Sequence, residues 1–64
     1  MKNLRQERYN ELAANEENLT DEELTEQVQL HYELDPSAQK YFKEVAPNLT
    51  PQDVWGIDTS RYDQ

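Results

Sequence analysis

Apolar residues recur along this chain at helical spacing, most regularly in the stretch that follows Asp35. There they fall at positions i, i+3, i+4, i+7 and i+8, as Ala38, Tyr41, Phe42, Val45 and Ala46. That spacing is typical of one buried helical face. Just before it, a second predicted helix carries a broad apolar arc made of Leu24, Val28, Leu30, His31, Tyr32 and Leu34. Between residues 3 and 15 the stripe is ragged, so the first predicted helix has the poorest apolar face.

Helix start and stop signals separate these segments. Residues 19–24 and 49–54 each carry a capping box, in which a threonine hydroxyl and an acidic side chain three residues later satisfy each other's backbone N–H groups. Asp35 before Pro36 is a third start, because aspartate caps a helix and proline suits its first position. Pro47 ends the third helix, and Gly56 suits the left-handed cap of a short fourth one.

The pattern predicts an all-α protein, a small bundle of three helices plus a short C-terminal helical turn. A chain of 64 residues is at most one domain and buries only about 60% of its unfolded surface, so we expect a marginal core. We assign residues 1–57 to this single small helical domain and residues 58–64 to a polar C-terminal tail. One glycine, no hairpin dipeptide and no alternating β-branched run argue against strands.

Charge is distributed unevenly along the chain. Nine acidic residues and no lysine or arginine lie from Tyr9 to Asp35, in a protein of net charge −8. Such acidity repels nucleic-acid phosphates and anionic membranes and attracts basic protein surfaces, so direct binding to nucleic acid or membrane is disfavoured. The sequence has no cysteine, no membrane-length apolar run and no signal-peptide segment after Met1. We therefore expect a soluble, cytoplasmic protein.

The second predicted helix carries an acidic ridge, formed by Glu22, Glu26 and Glu33 opposite its apolar arc. Glu22 and Glu26 lie about 6 Å apart along the helix axis, close to the spacing of successive phosphates on a DNA strand. No basic residue is interleaved to relieve their repulsion, which favours a partner-binding face. Its field is extended by Glu16, Glu17, Asp21 and Glu23. The alternative is a solvated helix whose first-turn acids simply favour the helix dipole.

Catalytic and metal-binding signals are scarce. The chain has no thiol nucleophile and no glycine-rich phosphate loop, and it is too small to enclose a cleft easily, so we expect neither an enzyme nor a cofactor. His31 and Asp35 alone would make a poor metal site, and we interpret His31 as a packed or half-buried side chain. Trp55 is interpreted as core. The alternative is that Trp55 and Tyr62 are exposed anchors for a partner.

The charges of the first helix are reversed relative to the helix dipole. Lys2, Arg5 and Arg8 lie at its positive end, and three glutamates lie at or beyond its negative end. Such a segment is either frayed or held by another element. The candidates are the acidic second helix of the same chain and that of a dimer mate. The sequence leaves open a homodimer through the basic N-terminus.

These observations favour a small acidic binding protein that blocks a basic, nucleic-acid-binding surface of another protein, as an inhibitor or DNA mimic. The partner would be a nucleic-acid enzyme or regulator. In size and charge the chain resembles the small acidic inhibitors that phages and mobile elements use against host nucleic-acid enzymes, which implies a similar origin and role. The main alternative is a structural or adaptor subunit that docks through the apolar faces of helices two and three.

Overall fold

The computed structural model describes residues 3–62 of the chain. Its helices are α1 (Leu4–Ala14), α2 (Asp21–Leu34), α3 (Pro36–Val45) and α4 (Pro51–Trp55), with 3₁₀ turns at Glu16–Asn18 and Ser60–Tyr62. No strand is present within residues 3–62. The predicted all-α bundle of three helices with a short C-terminal helical turn is therefore confirmed.

Both predicted capping boxes are formed. The Thr20 hydroxyl accepts from the backbone N–H of Glu23 at 3.2 Å, and the Glu23 carboxylate accepts from the backbone N–H of Thr20 at 3.0 Å. The equivalent distances between Thr50 and Asp53 are 3.2 Å and 2.8 Å. The bonds from Thr20 lower the pKa of Glu23 because they stabilise its ionised form. Consequently α2 and α4 begin where the sequence predicts.

The other helix boundaries also follow from their residues. The Asp35 carboxylate accepts from the backbone N–H of Ser37 at 2.9 Å, and Pro36 occupies the first position of α3. Gly56 ends α4 with φ at 79°, a left-handed conformation that glycine adopts without the steric cost of a side chain. Its N–H donates to the carbonyl of Gln52 at 2.7 Å, which closes the last turn.

Helix α2 is the centre of the fold, because α1, α3 and α4 all pack against it. Among residues 3–62, the buried apolar side chains are Leu12, Leu30 and Phe42. The Tyr32 ring stacks on Trp55 with 5.0 Å between centroids and meets Phe42 edge-on at 5.8 Å. Trp55 is half-buried in this aromatic cluster, so it lies between the predicted core position and the alternative of an exposed anchor.

Several side chains that periodicity predicts to be buried are exposed. Tyr41 and Val45 of α3 are 57% and 60% exposed, because the aromatic cluster covers only one edge of their helical face. Leu24 and Val28 of α2 are 41% and 42% exposed. His31, interpreted as packed or half-buried, is exposed, so that interpretation is wrong about burial. Its ring nevertheless lies 5.5 Å from that of Tyr32 and 6.5 Å from that of Tyr9, measured between centroids. The apolar core is therefore even smaller than the sequence predicts.

The predicted polar tail is not free where the structure describes it. Residues 58–62, called here the C-terminal segment, turn back onto α2. Thr59 in this segment is 1% exposed and Tyr62 is half-buried. Residues 63 and 64 of the predicted tail, like Met1 and Lys2, lie outside the described residues.

Candidate functional site

Glu26 of α2 is a buried carboxylate that several hydrogen bonds hold in place. It is 5% exposed. Arg8 of α1 donates to both of its oxygens, from Nε at 3.0 Å and from Nη2 at 3.2 Å. The Tyr62 hydroxyl donates to Oε2 at 2.7 Å, and Nη2 of Arg61 lies 3.8 Å from the same oxygen. Glu26 thus ties α1 and the C-terminal segment to α2.

Glu33, two turns further along α2, makes an equivalent set of bonds. Nε of Arg5 donates to its Oε1 at 3.1 Å, and the Thr59 hydroxyl lies 2.9 Å and 3.0 Å from its two oxygens. The amide of Gln29 donates to Oε2 of Glu33 at 3.1 Å and to the carbonyl of Ile57 at 2.6 Å. The backbone N–H of Ile57 donates to Oε1 of Gln29 at 3.1 Å in return. Gln29 is fully buried.

These side chains form one polar core, which comprises Arg5, Arg8, Glu26, Gln29, Glu33, Thr59 and Tyr62. It is what holds α1, despite the reversed charges of that helix. Of the two candidates that the sequence suggests for this role, the acidic second helix of the same chain is the one observed. The pairing of Arg5 with Glu33 and of Arg8 with Glu26 makes α1 antiparallel to α2.

The sequence predicts an exposed acidic ridge with no basic residue beside it. That prediction is wrong for Glu26 and Glu33. Glu26 and Glu33 face α1 and are paired with its arginines. Only Glu22 is exposed. A signal for this arrangement was present in the spacing, because Arg5 and Arg8 lie on one face of α1 and can meet carboxylates two turns apart on a facing helix. The predicted phosphate-like spacing of Glu22 and Glu26 therefore does not exist on the surface.

The polar core is a network of stable charges. Burial raises the pKa of Glu26, but hydrogen bonds from Arg8 and Tyr62 and the nearby guanidinium charges outweigh burial and leave the pKa below its ordinary value. The hydrogen bond to Glu26 raises the pKa of Arg8. Burial, followed by the bond to Glu26, raises the pKa of Tyr62. The three groups therefore keep their usual ionisation at neutral pH.

The remaining predicted contact residues form an acidic corner between α1 and α2. It consists of four exposed carboxylates, Glu16, Glu17, Asp21 and Glu22. Two lie in the first 3₁₀ turn and two in the first turn of α2. None of them forms an ion pair with another residue of the described chain. Glu23 lies beside them, half-buried, with its carboxylate engaged in the capping box.

The outer face of α2 carries two partly exposed apolar side chains, whereas its inner face carries Glu26 and Gln29 beside the buried Leu30. Leu24 and Val28 lie one turn apart on the side away from Glu26 and Leu30, because residues two positions apart on a helix face opposite ways. Asp21 precedes Leu24 by three positions and lies on this same outer face. The acidic corner and the apolar outer face of α2 are therefore contiguous.

The two proposed aromatic anchors are both engaged within the chain. Trp55 stacks on Tyr32, as described above. Tyr62 donates to Glu26, and the guanidinium of Arg61 lies 5.0 Å from the centre of its ring. A partner could reach either ring only at its half-exposed edge.

The described residues offer neither a metal centre nor a membrane-spanning helix. Within residues 3–62, no group of three His, Cys, Asp or Glu side chains is arranged to hold a metal ion. Over the same residues, every helix is too short or too polar to cross a bilayer. Besides the acidic corner, the described surface carries exposed large apolar side chains, which are Leu24, Val28, Tyr41, Val45, Leu49 and Val54.

Comparison with protein-family models, with characterised proteins and with solved structures gave no significant match. The class of this protein is therefore defined by its own fold and surface. It is a small all-α protein with an ionic network inside and, outside, an acidic corner that forms no ion pair among residues 3–62.

Proposed function

We propose that this chain is a small non-enzymatic protein that binds a basic surface of another protein and blocks it. The observation that carries the proposal is the acidic corner, Glu16, Glu17, Asp21 and Glu22. These carboxylates are exposed and form no ion pair within the described chain. The corner replaces the ridge as the proposed contact, because Glu26 and Glu33 are committed to the polar core.

Electrostatics supports a basic partner. Four carboxylates in one corner, on a protein of net charge −8, attract cationic surfaces and accelerate encounter with them. Clefts that grip phosphates are lined with lysine and arginine. A nucleic-acid enzyme or regulator, as an inhibited target, is therefore the partner class that the charge fits best.

The experiment compares two variants of equal charge. The corner variant carries Glu16→Gln, Glu17→Gln and Glu22→Gln. The control variant carries glutamine at three other exposed glutamates, Glu7, Glu11 and Glu44. Each immobilised protein is offered a cell lysate at low salt, and bound proteins are eluted with double-stranded DNA, identified by mass spectrometry and then measured individually for affinity.

We expect DNA to displace a specific partner from the wild-type protein and from the control variant. The corner variant should bind that partner at least tenfold more weakly. Affinity should also fall steeply between 0.05 and 0.5 M salt, because exposed charges are screened over a Debye length of about 10 Å at 0.1 M. Equal affinity of the two variants, or affinity indifferent to salt, would contradict the proposal.

A second candidate is an adaptor or structural subunit that docks through apolar surface. The exposed pair Tyr41 and Val45 on α3 favours it, together with Leu24 and Val28 on α2. Tyr41→Ser with Val45→Ser should then abolish partner binding, and salt should have little effect. Phe42 is unsuitable for this test because it is buried, so its replacement would disturb the fold itself.

A further inference from the structure

We infer that the outer face of α2 binds a basic amphipathic helix of the partner. This inference rests on the proposed function, since it specifies the segment of the basic partner that makes contact. It begins from the reversed polarity of α2, which turns Glu26, Gln29 and Glu33 inward. Leu24 and Val28 lie on the opposite side of the helix, where 41% and 42% of their surface is exposed.

The outward residues have the spacing of a helix-packing seam. Asp21, Leu24, Val28 and His31 are separated by three, four and three positions, which is the repeat that places side chains along the line where two helices meet. From Asp21 to the capping Asp35, the face is about 21 Å long at 1.5 Å per residue. A partner helix of about four turns would match it.

Charge determines which helix fits this face. The apolar pair is bounded by Asp21 at one end and Asp35 at the other, and the acidic corner adjoins the first of these. A complementary helix therefore carries apolar residues at its centre and lysine or arginine at its flanks. A second copy of this chain fits poorly, because it would bring one net charge of −8 against another.

The test uses two synthetic 18-residue peptides composed of leucine and lysine only. In the first, leucines recur every third or fourth position, so the helix is amphipathic. In the second, the same residues are scrambled without periodicity. Binding to the full chain is measured by fluorescence anisotropy, and the contact surface is mapped by amide chemical shifts on the unmodified protein. Leu24→Ser with Val28→Ser removes the proposed seam, and Tyr41→Ser with Val45→Ser is the matched control on α3.

We expect the amphipathic peptide to bind at least tenfold more tightly than the scrambled one and to shift amides along α2 from residue 21 to residue 32. The Leu24 and Val28 double variant should bind the two peptides equally, whereas the Tyr41 and Val45 double variant should keep the tenfold difference. If both peptides bind equally, charge alone accounts for binding. That result would contradict the inferred helix-binding face but not the proposed function. Failure of both peptides to bind even at low salt would count against the proposed function itself.

Two further outcomes would overturn the inference by assigning the face elsewhere. In the first, the Tyr41 and Val45 double variant no longer binds the amphipathic peptide more tightly than the scrambled one, whereas the Leu24 and Val28 double variant still does. The other is a concentration-dependent dimer, seen by sedimentation, that the Leu24 and Val28 double variant abolishes. Both variants change side chains that are already substantially exposed, so circular dichroism should show an unchanged helical content.

Discussion

Glu26 keeps its charge inside the protein because two arginines and a tyrosine hydroxyl surround it. A carboxylate in that position would be costly without them, since a buried ion needs both a counter-charge and hydrogen bonds to offset its lost hydration. The bidentate contact with Arg8 provides both. This one residue connects α1, α2 and the C-terminal segment, so its replacement tests the importance of the polar core.

Glu26→Gln should lower the free energy of unfolding by about 1.5 to 3 kcal/mol, the range for hydrogen bonds that involve a charged group. Glu11→Gln provides the matched control, because Glu11 also pairs with Arg8 but is 66% exposed at its side chain. That change should cost about 0.5 kcal/mol or less, as is usual for surface pairs. Urea denaturation at pH 7 measures both. Similar losses in the two variants would mean that the burial of Glu26 has no energetic consequence.

Stability should also fall in acid, and Glu26 should account for part of the fall. Its pKa is lower in the folded protein than the ordinary value of 4.5. The unfolded chain therefore takes up the proton first, so the stabilisation is present above about pH 4.5 and is lost as the pH falls through the folded pKa. Urea midpoints at pH 6, 4.5 and 3 should decline less steeply in Glu26→Gln than in Glu11→Gln. Glu23 and Asp58, whose pKa values are also lowered, should maintain a residual decline.

The local roles of several residues could be read from the sequence, whereas the role of Glu26 could not. Capping at Thr20, Thr50 and Asp35 involves partners within three residues, so the pattern alone predicts it. Glu26 is paired with a residue 18 positions away. A helical projection of one segment contains no information about such a contact. The indications that it exists are the reversed charges of α1 and the position of Arg5 and Arg8 on one face of that helix.

At the scale of elements, α2 matters most because the other helices pack on it. Thr20→Ala removes its N-terminal cap and should destabilise the protein by about 1 kcal/mol. Thr25→Ala serves as the control. Among residues 3–62, the Thr25 hydroxyl bonds only to the carbonyl of Asp21 in the same helix, at 2.9 Å, so its removal should have little effect. Thermal unfolding followed by circular dichroism distinguishes the two, and equal melting temperatures would show that the cap is dispensable.

Periodicity located every long helix but identified the inner face of α2 only in part, since Leu30 is buried as predicted whereas Leu24 and Val28 are exposed. The pattern places Leu24 and Val28 toward the core and Glu26 and Glu33 toward solvent. It treats each helix as though only apolar contacts were available, and here α1 presents arginines to α2 instead. The apolar face of α3 was identified correctly only in part, because one aromatic cluster is too small to cover both Phe42 and Tyr41.

At the scale of the whole molecule, two groups of charges can be distinguished. One group forms internal ion pairs that stabilise the fold, and the other is exposed at the acidic corner. Two internal carboxylates pair with two arginines and hold α1 on α2. The side chains of the acidic corner form no ion pair that the structure describes. Acidic residues that repel one another at close range destabilise a small domain. Asp21 and Glu22 lie in the first turn of α2, where they also favour the helix dipole. The proposed basic partner would account for the rest of the corner.

Repulsion among the exposed carboxylates can be tested on the free protein, without a partner. Sodium chloride should stabilise the free protein, on the order of 1 kcal/mol between 0.01 and 1 M, because it shortens the Debye length from about 30 Å to about 3 Å. The polar core is screened less, since Glu26 and Glu33 are largely withdrawn from solvent. Urea denaturation at a series of salt concentrations gives the dependence. A fall in stability with salt would mean that exposed ion pairs, and not repulsion, dominate the electrostatics.

The corner and control variants of equal charge then locate the repulsion. If it arises at the acidic corner, glutamine at Glu16, Glu17 and Glu22 should raise stability at low salt and flatten the salt dependence. Glutamine at Glu7, Glu11 and Glu44, which lie on α1 and α3 and are farther apart in the chain, should do less. Equal flattening by both variants would attribute the repulsion to net charge alone. A stronger effect at the corner would mean that the protein gives up stability at the surface proposed to meet its partner, a trade typical of binding sites.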